Sequence, residues 1–110
     1  MKGPLKIIRE AKATPKKTGQ FVSIWKRKEE AITAPHHIND EFETLIIECK
    51  DENKSGRFIF PKSILAEKGI VSTPERKGKR GIRVYPPWDK PKSKQGLKTQ
   101  AWQIKFFESD

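Results

Sequence analysis

The sequence predicts a single α+β domain over residues 1–110, with a mixed or antiparallel sheet flanked by a short central helix and a C-terminal helix. Three observations predict it. Short apolar runs rich in Ile, Val and Phe, bounded by Pro, Gly and Asn, recur at strand length along the chain. One segment, Pro61 to Gly69, carries helix punctuation at both ends. The last segment, Gln95 to Glu108, repeats apolar residues at helical spacing.

Leu5 to Lys12 reads as the first strand, with the pair Ile7-Ile8 breaking strict alternation. It starts so close to residue 1 that an N-terminal portion is expected to be lacking. Thr14-Pro15-Lys16-Lys17-Thr18-Gly19 forms a turn, and Gln20 to Arg27 forms a second strand, making a hairpin with the first. Alternation puts Val22 and Ile24 on one face and Phe21, Ser23 and Trp25 on the other. Both faces are then partly apolar, which predicts a strand covered on both sides.

Residues 28–42 are acidic and irregular and read as a loop. Glu43 to Lys50 is the strongest buried-strand signal, with Leu45-Ile46-Ile47 at its centre, and Arg57-Phe58-Ile59-Phe60 follows after a polar turn. Pro61 opens a short helix that turns Ile64 and Leu65 inward and stops at Gly69. Ile70-Val71 is extended. A basic, glycine-punctuated turn, Lys77-Gly78-Lys79-Arg80-Gly81, then feeds the strand Ile82–Tyr85, ended by Pro86-Pro87-Trp88. In Gln95 to Glu108, Leu97, Ala101, Ile104 and Phe107 form the expected inward stripe, widened by Trp102 and Phe106; the alternation of Trp102, Ile104 and Phe106 also fits a strand, but Gln, Lys, Ala and Glu favour the helix.

Charge narrows the function classes. Hydrophobic residues are 34% of the chain and charged residues 35%, with a net charge of +10. A domain this basic favours polyanions. Residues 1–28 carry nine cations against one anion, residues 29–56 two against eight, and residues 57–110 thirteen against five. Two basic arms, each of net +8, therefore flank an acidic middle. The one cysteine, Cys49, sits in an apolar run and reads as a buried inert thiol in a reducing, cytoplasmic protein. No apolar run reaches the roughly 18 residues of a membrane-spanning helix, so no membrane insertion is expected.

Two strands end in Glu-x-Lys: Glu10-Ala11-Lys12 and Glu48-Cys49-Lys50. On a strand, such a pair points to one side. With a carboxylate from a neighbouring strand it would hold Mg²⁺ for phosphodiester cleavage, and it equally forms a solvated ion pair. His36-His37 are adjacent and converge poorly on a metal, so no metal site is expected. Trp25 and Trp102 read as core, and Trp88, after two prolines, as an exposed platform.

The blocks from Ala11 to Val22, Trp25 to Arg27, Phe58 to Leu65, Lys68 to Ser72, Gly78 to Asp89 and Lys98 to Gln103 together resemble the MepB family, named for an accessory gene beside a bacterial multidrug-efflux pump. The resemblance implies a restriction-endonuclease-like fold, similar to the PD-(D/E)xK nucleases. It also implies that the chain is short of the family's N-terminal segment.

The expected function is binding of DNA, or alternatively RNA, with low sequence preference. The contacts would be Lys16, Lys17, Lys26, Arg27, Lys62, Arg76, Lys77, Lys79, Arg80 and Arg83, with Trp88 as platform and no cofactor. Gly78 and Gly81 would let backbone N–H groups approach a phosphate. A Mg²⁺-dependent nuclease using Glu10, Lys12, Glu48 and Lys50, and a protein-interaction module linked to an efflux operon, are the alternatives.

Overall fold

A computed structural model describes residues 5–29 and 32–110. Its strands are β1 (Lys6–Glu10), β2 (Lys12–Thr14), β3 (Lys17–Ser23), β4 (Lys26–Glu29), β5 (Ile32–Ala34), β6 (Thr44–Asp51), β7 (Lys54–Pro61), β8 (Gly81–Val84) and β9 (Phe107–Ser109). Helix α1 (Lys62–Glu67) follows β7. Helix α2 (Lys94–Gln103) precedes β9 through the 3₁₀ turn Ile104–Phe106. Among the described residues, no helix is long and apolar enough to cross a membrane.

The strands form three sheets, ordered β1-β6-β7-β9, β2-β3-β8 and β4-β5. The first is mixed, because β1 runs parallel to β6 while β6-β7 and β7-β9 are antiparallel. The expected central strand is therefore central, and its long hairpin with β7 pairs eight residues on each side. The inner face of this sheet contributes Leu45, Ile47, Cys49, Phe58 and Phe60, all at most 2% exposed. Val22, Ile82 and Val84 of the second sheet join the same cluster, with Leu65 of α1 and the pair Ile70-Val71, which bends at Val71 where an extended piece was expected. At about 25 cal/mol per Å² of apolar area removed from water, this shared cluster is the main source of stability.

The first predicted strand is two strands. At Ala11 the chain leaves the first sheet and enters the second. Ala11 is buried there, and its N–H donates to the Glu48 carbonyl at 2.9 Å. Only β2 forms the expected hairpin with β3, because β1 pairs with β6 instead. The second predicted strand also divides, at Ile24-Trp25, into β3 and β4. Its alternation holds: Val22 and Ile24 are buried while Phe21, Ser23 and Trp25 are exposed. Its second face is uncovered, however, since Phe21 is 44% and Trp25 37% exposed. Trp25 is thus not core. The predicted acidic loop contains β5, paired with β4; Glu30 and Ala31 lie outside the described residues.

Helix α1 ends as expected. Gly69 takes φ +72, a left-handed conformation that glycine adopts without a Cβ clash. The C-terminal segment departs most from expectation. Helix α2 stops at Gln103, and Phe107 belongs to an edge strand on β7. Leu97 and Ile104 of the expected stripe are 51% and 41% exposed. The side of α2 turned to the protein is mixed: Trp102 packs on the core as expected, its ring 5.5 Å from that of Phe60, and two glutamines make up much of the remainder. Gln103 is 1% exposed; its Oε1 accepts from the Tyr85 N–H at 2.9 Å, and its Nε2 donates to the Arg83 carbonyl at 3.1 Å. Gln100 Nε2 donates to the carbonyls of Tyr85, Pro86 and Asp89 at 2.8–3.3 Å. Ser93 caps the helix, its Oγ accepting from the Gly96 N–H.

Gln103→Leu would leave the Tyr85 N–H and the Arg83 carbonyl buried without partners. A loss of about 2–4 kcal/mol is expected, read as a lower urea midpoint with unchanged slope. His36 gives a pH dependence. Burial, aided by the Arg9 and Lys26 charges and opposed by Asp40, holds its pKa below the ordinary 6.5. The folded state therefore keeps His36 neutral where the unfolded chain takes up a proton. Stability is full above that unfolded value and falls as pH drops below it. His36→Asn should flatten the urea midpoint between about pH 7.5 and 5.5, pH values that bracket the ordinary histidine pKa.

Candidate nucleic-acid interface

The second sheet carries its core residues on one face and an open surface on the other. In the antiparallel register Lys12 lies opposite Phe21, and Phe21 opposite Arg83. Directly opposed residues of an antiparallel pair share a face. Lys12, Phe21 and Arg83 therefore make a row of cation, aromatic ring and cation across the open side of three strands. The Phe21 ring lies against Gly81, where an added Cβ would come within 2.5 Å of the ring tip. Tyr85 lies in the same way against Gly19, whose φ is +88.

Arg83 is fixed in place. Its Nη1 donates to Thr14 Oγ1 at 3.0 Å and to the Thr18 carbonyl at 3.3 Å, which ties it to the β2–β3 turn. Beside this row, between the sheet and α2, is a cleft of about 460 Å³. Lys17, Lys68, Lys79 and Arg83 line it, with Phe21, Tyr85 and Trp102 as aromatic surface and Ser93, Gln95 and Thr99 on the α2 wall. No carboxylate lines it among the described residues. Lys16 continues the basic surface, lining an adjoining recess with Lys17 and Arg83. The two basic arms of the sequence thus meet here: Lys16 and Lys17 come from the first, and Lys68, Lys79 and Arg83 from the second.

Several cations expected in the interface have other roles. Lys26 Nζ pairs with Asp40 at 2.6 Å. Burial raises the Asp40 carboxyl, but the Lys26 and His37 hydrogen bonds outweigh it and hold the pKa below the ordinary carboxylate value. Lys62 donates to the Ile38 and Asp40 carbonyls and sits 4.6 Å from the centre of the Phe42 ring. Arg76 donates to the Ala66 and Glu67 carbonyls and so closes the C-terminal end of α1. Arg80 is bound to Thr33 through its hydroxyl and carbonyl. Arg27 and Lys77 are exposed but do not line the cleft.

Trp88 is no platform. It packs on the core, its ring edge-on to Phe107 at 5.6 Å, with Nε1 buried. The two prolines turn this tryptophan inward. Gly78 offers no N–H to a phosphate, because that group donates to Ser72 Oγ at 2.8 Å. The space above Gly81 is taken by the Phe21 ring.

Lys68 and Lys12 are not legible in the sequence as interface residues. Lys68 stands just past α1, with Nζ 5.3 Å from the centre of the Trp102 ring and 3.7 Å from Glu67. Its one sequence signal is a lysine before the stop glycine. Phe21 reads in the sequence as part of a covered face; its signal is an aromatic out of phase with Val22 and Ile24.

The nuclease residues are partly brought together. Glu10 and Glu48 are register partners on β1 and β6. Arg57 then takes the place a cation would need, its Nε 3.2 Å from Glu48, while its other nitrogens reach Glu108 at 3.2 Å and Asp110 at 2.7 Å. The Glu48 hydrogen bond above all, with the charges of Asp110 and Glu48, raises the Arg57 pKa. Lys12 belongs to the other sheet. These residues do not fit a divalent cation, and among the described residues no group of three His, Cys, Asp or Glu does. Burial, with the charges of Asp89 and Glu48, pushes the Cys49 thiol up to about 12, so it stays protonated and unreactive.

The MepB-like family matches residues 2–109. A solved crystal structure of MepB superposes with a TM-score of 0.88 and 42% identity, over 93% of this chain and 68% of that one. Among curated proteins no match was found. The part that superposes is this chain's single α+β domain, mostly strands with two short helices. By family match over nearly its whole length and by likeness to that structure, the chain belongs to the MepB-like family.

Proposed function

We propose that this protein binds nucleic acid, DNA with little sequence preference, through the basic cleft and its rim. One observation carries the reading. Lys17, Lys68, Lys79 and Arg83, from separate parts of the sequence, line one cleft that no carboxylate lines among the described residues, and Lys16 stands at an adjoining recess. Clustered cations repel one another, and a phosphate chain relieves that repulsion and releases its own condensed counterions. Such contacts position a backbone and carry no sequence information. No recognition-helix motif is evident in the sequence: α1 has six residues, and α2 is docked on β8 through Gln103. The endonuclease-like fold implied by the family resemblance points to the same class of partner and is part of this proposal. Cleavage is not, because Arg57 neutralises Glu48. A cytoplasmic location suits both the partner and the single free thiol.

Binding should weaken steeply with salt. The slope of log K against log salt, measured by fluorescence anisotropy on a labelled duplex, should fall by about 2 in Lys17→Ala/Lys79→Ala, about 1 for each phosphate no longer neutralised. Lys26→Ala, which removes the partner of Asp40, should lower stability and leave that slope unchanged. An affinity that is flat from low to moderate salt would overturn the reading.

A further inference from the structure

We infer that the cleft is built for unpaired nucleotides: it takes single-stranded DNA or RNA, with a base stacked on Phe21. This rests on the nucleic-acid reading above and names the form of the ligand. The first support is the place of Phe21. The mid-strand aromatics of the other sheet, Phe58 and Phe60, are fully buried, whereas Phe21 is 44% exposed in mid-strand. A solitary exposed apolar residue is ordinary. This one lies between two register partners that are both cationic, Lys12 and Arg83, and glycine beneath it gives the ring its seat. A ring on a sheet face beside cations is the arrangement by which flat bases are stacked while phosphates are neutralised alongside.

The second support is size and lining. At about 460 Å³ the cleft has the volume of a small-molecule site. It admits a nucleotide, whereas a duplex would lie across its mouth with its base faces already covered by neighbouring pairs. The α2 wall offers Ser93, Gln95 and Thr99, which are neutral donors and acceptors suited to base edges or a sugar hydroxyl. The cations come from separate parts of the fold. Lys17 stands at the β2–β3 turn, and Lys68 and Lys79 stand by the end of α1, where the Lys79 N–H donates to the Ile70 carbonyl at 2.8 Å. A strand passing through would meet charge from each. Stacking tolerates any base, so little sequence preference is expected.

The test compares labelled oligothymidine and oligouridine of about fifteen nucleotides, near the site size of a single-strand binding fold, with a duplex of equal length, all three at the same low and then the same moderate salt concentration. Wild type, Phe21→Ala and Phe21→Tyr are measured, with circular dichroism to confirm folding. The expected result is that one or both strands bind about tenfold or more tightly than the duplex. Phe21→Ala should weaken strand binding about tenfold with little effect on the duplex, and Phe21→Tyr should restore it. A duplex bound as tightly as both strands overturns the single-strand inference and leaves polyanion binding standing. So does an equal loss on strand and duplex in Phe21→Ala. Absence of salt-sensitive binding to any of the three overturns both readings. Should Phe21→Ala fail to fold, the wild-type strand-to-duplex ratio and Phe21→Tyr decide the question.

Discussion

Strand β8 has β3 along one edge, and along the other the side-chain amide of Gln103 stands in for a neighbouring strand. It accepts from one backbone N–H and donates to the backbone carbonyl two residues earlier, as an adjacent strand would. Buried at 1% exposure, it works in a medium where an unmade hydrogen bond is costly. Gln100 extends the same device to the Pro-Pro corner, supplying donors to three carbonyls where the prolines leave the backbone short of its own. These two amides seat α2 against β8. That seating makes the far wall of the cleft, holds Tyr85 against Gly19, and sets Trp102 beneath Lys68. The cleft is thus a consequence of how one helix is docked.

The charges are divided by the same architecture. On the four-stranded sheet, Glu10 and Glu48 lie side by side, and Arg57 gathers Glu48, Glu108 and Asp110 into one network. Asp40 is answered by Lys26. These acids are therefore met away from the cleft. The cations of the cleft stand around one space of about 460 Å³. Screening acts over about 8–10 Å at moderate salt, so neighbouring fields add across a space of this size. Net charge alone did not imply this, since a chain of the same composition could spread its lysines evenly.

Much of this fold was legible locally. The central hairpin follows from the apolar runs around Ile46 and Ile59, and α1 from Pro61 and Gly69, because burial and backbone geometry leave a short-range imprint on sequence. The break at Ala11 left none: it depends on β6 pairing with the residues just before it, and a register partner some forty residues away is invisible in a local window. Helix α2 misled for a different reason. Periodicity counts apolar residues, whereas this helix docks through Gln100 and Gln103 as well as Trp102, so Leu97 and Ile104 of its apolar stripe are left outside. The convergence of the basic arms was legible as a possibility in the charge tally. Which lysines take part was not, because Lys62 and Arg76 are claimed by carbonyls of distant or neighbouring turns that no charge count registers.

The tryptophans and Phe21 carry the remaining lesson. Trp88 follows two prolines and so looked like a projecting ring, but the corner those prolines make turns it onto Phe107. Phe21 sits in an ordinary strand and looked covered, yet it is open. The difference lies in what stands across the sheet from each. Opposite Ser23, beside Phe21, stands Gly81, and the absence of a Cβ there lets the ring lie down on the backbone instead of standing up into solvent. The ring tip rests over that glycine while the residue stays 44% exposed. Arg83, tied to Thr14 and Thr18 on the same face, is held from folding over that ring. Glycine, arginine and the β2–β3 turn together fix where this half-exposed ring sits, an arrangement that forgoes part of its hydrophobic burial.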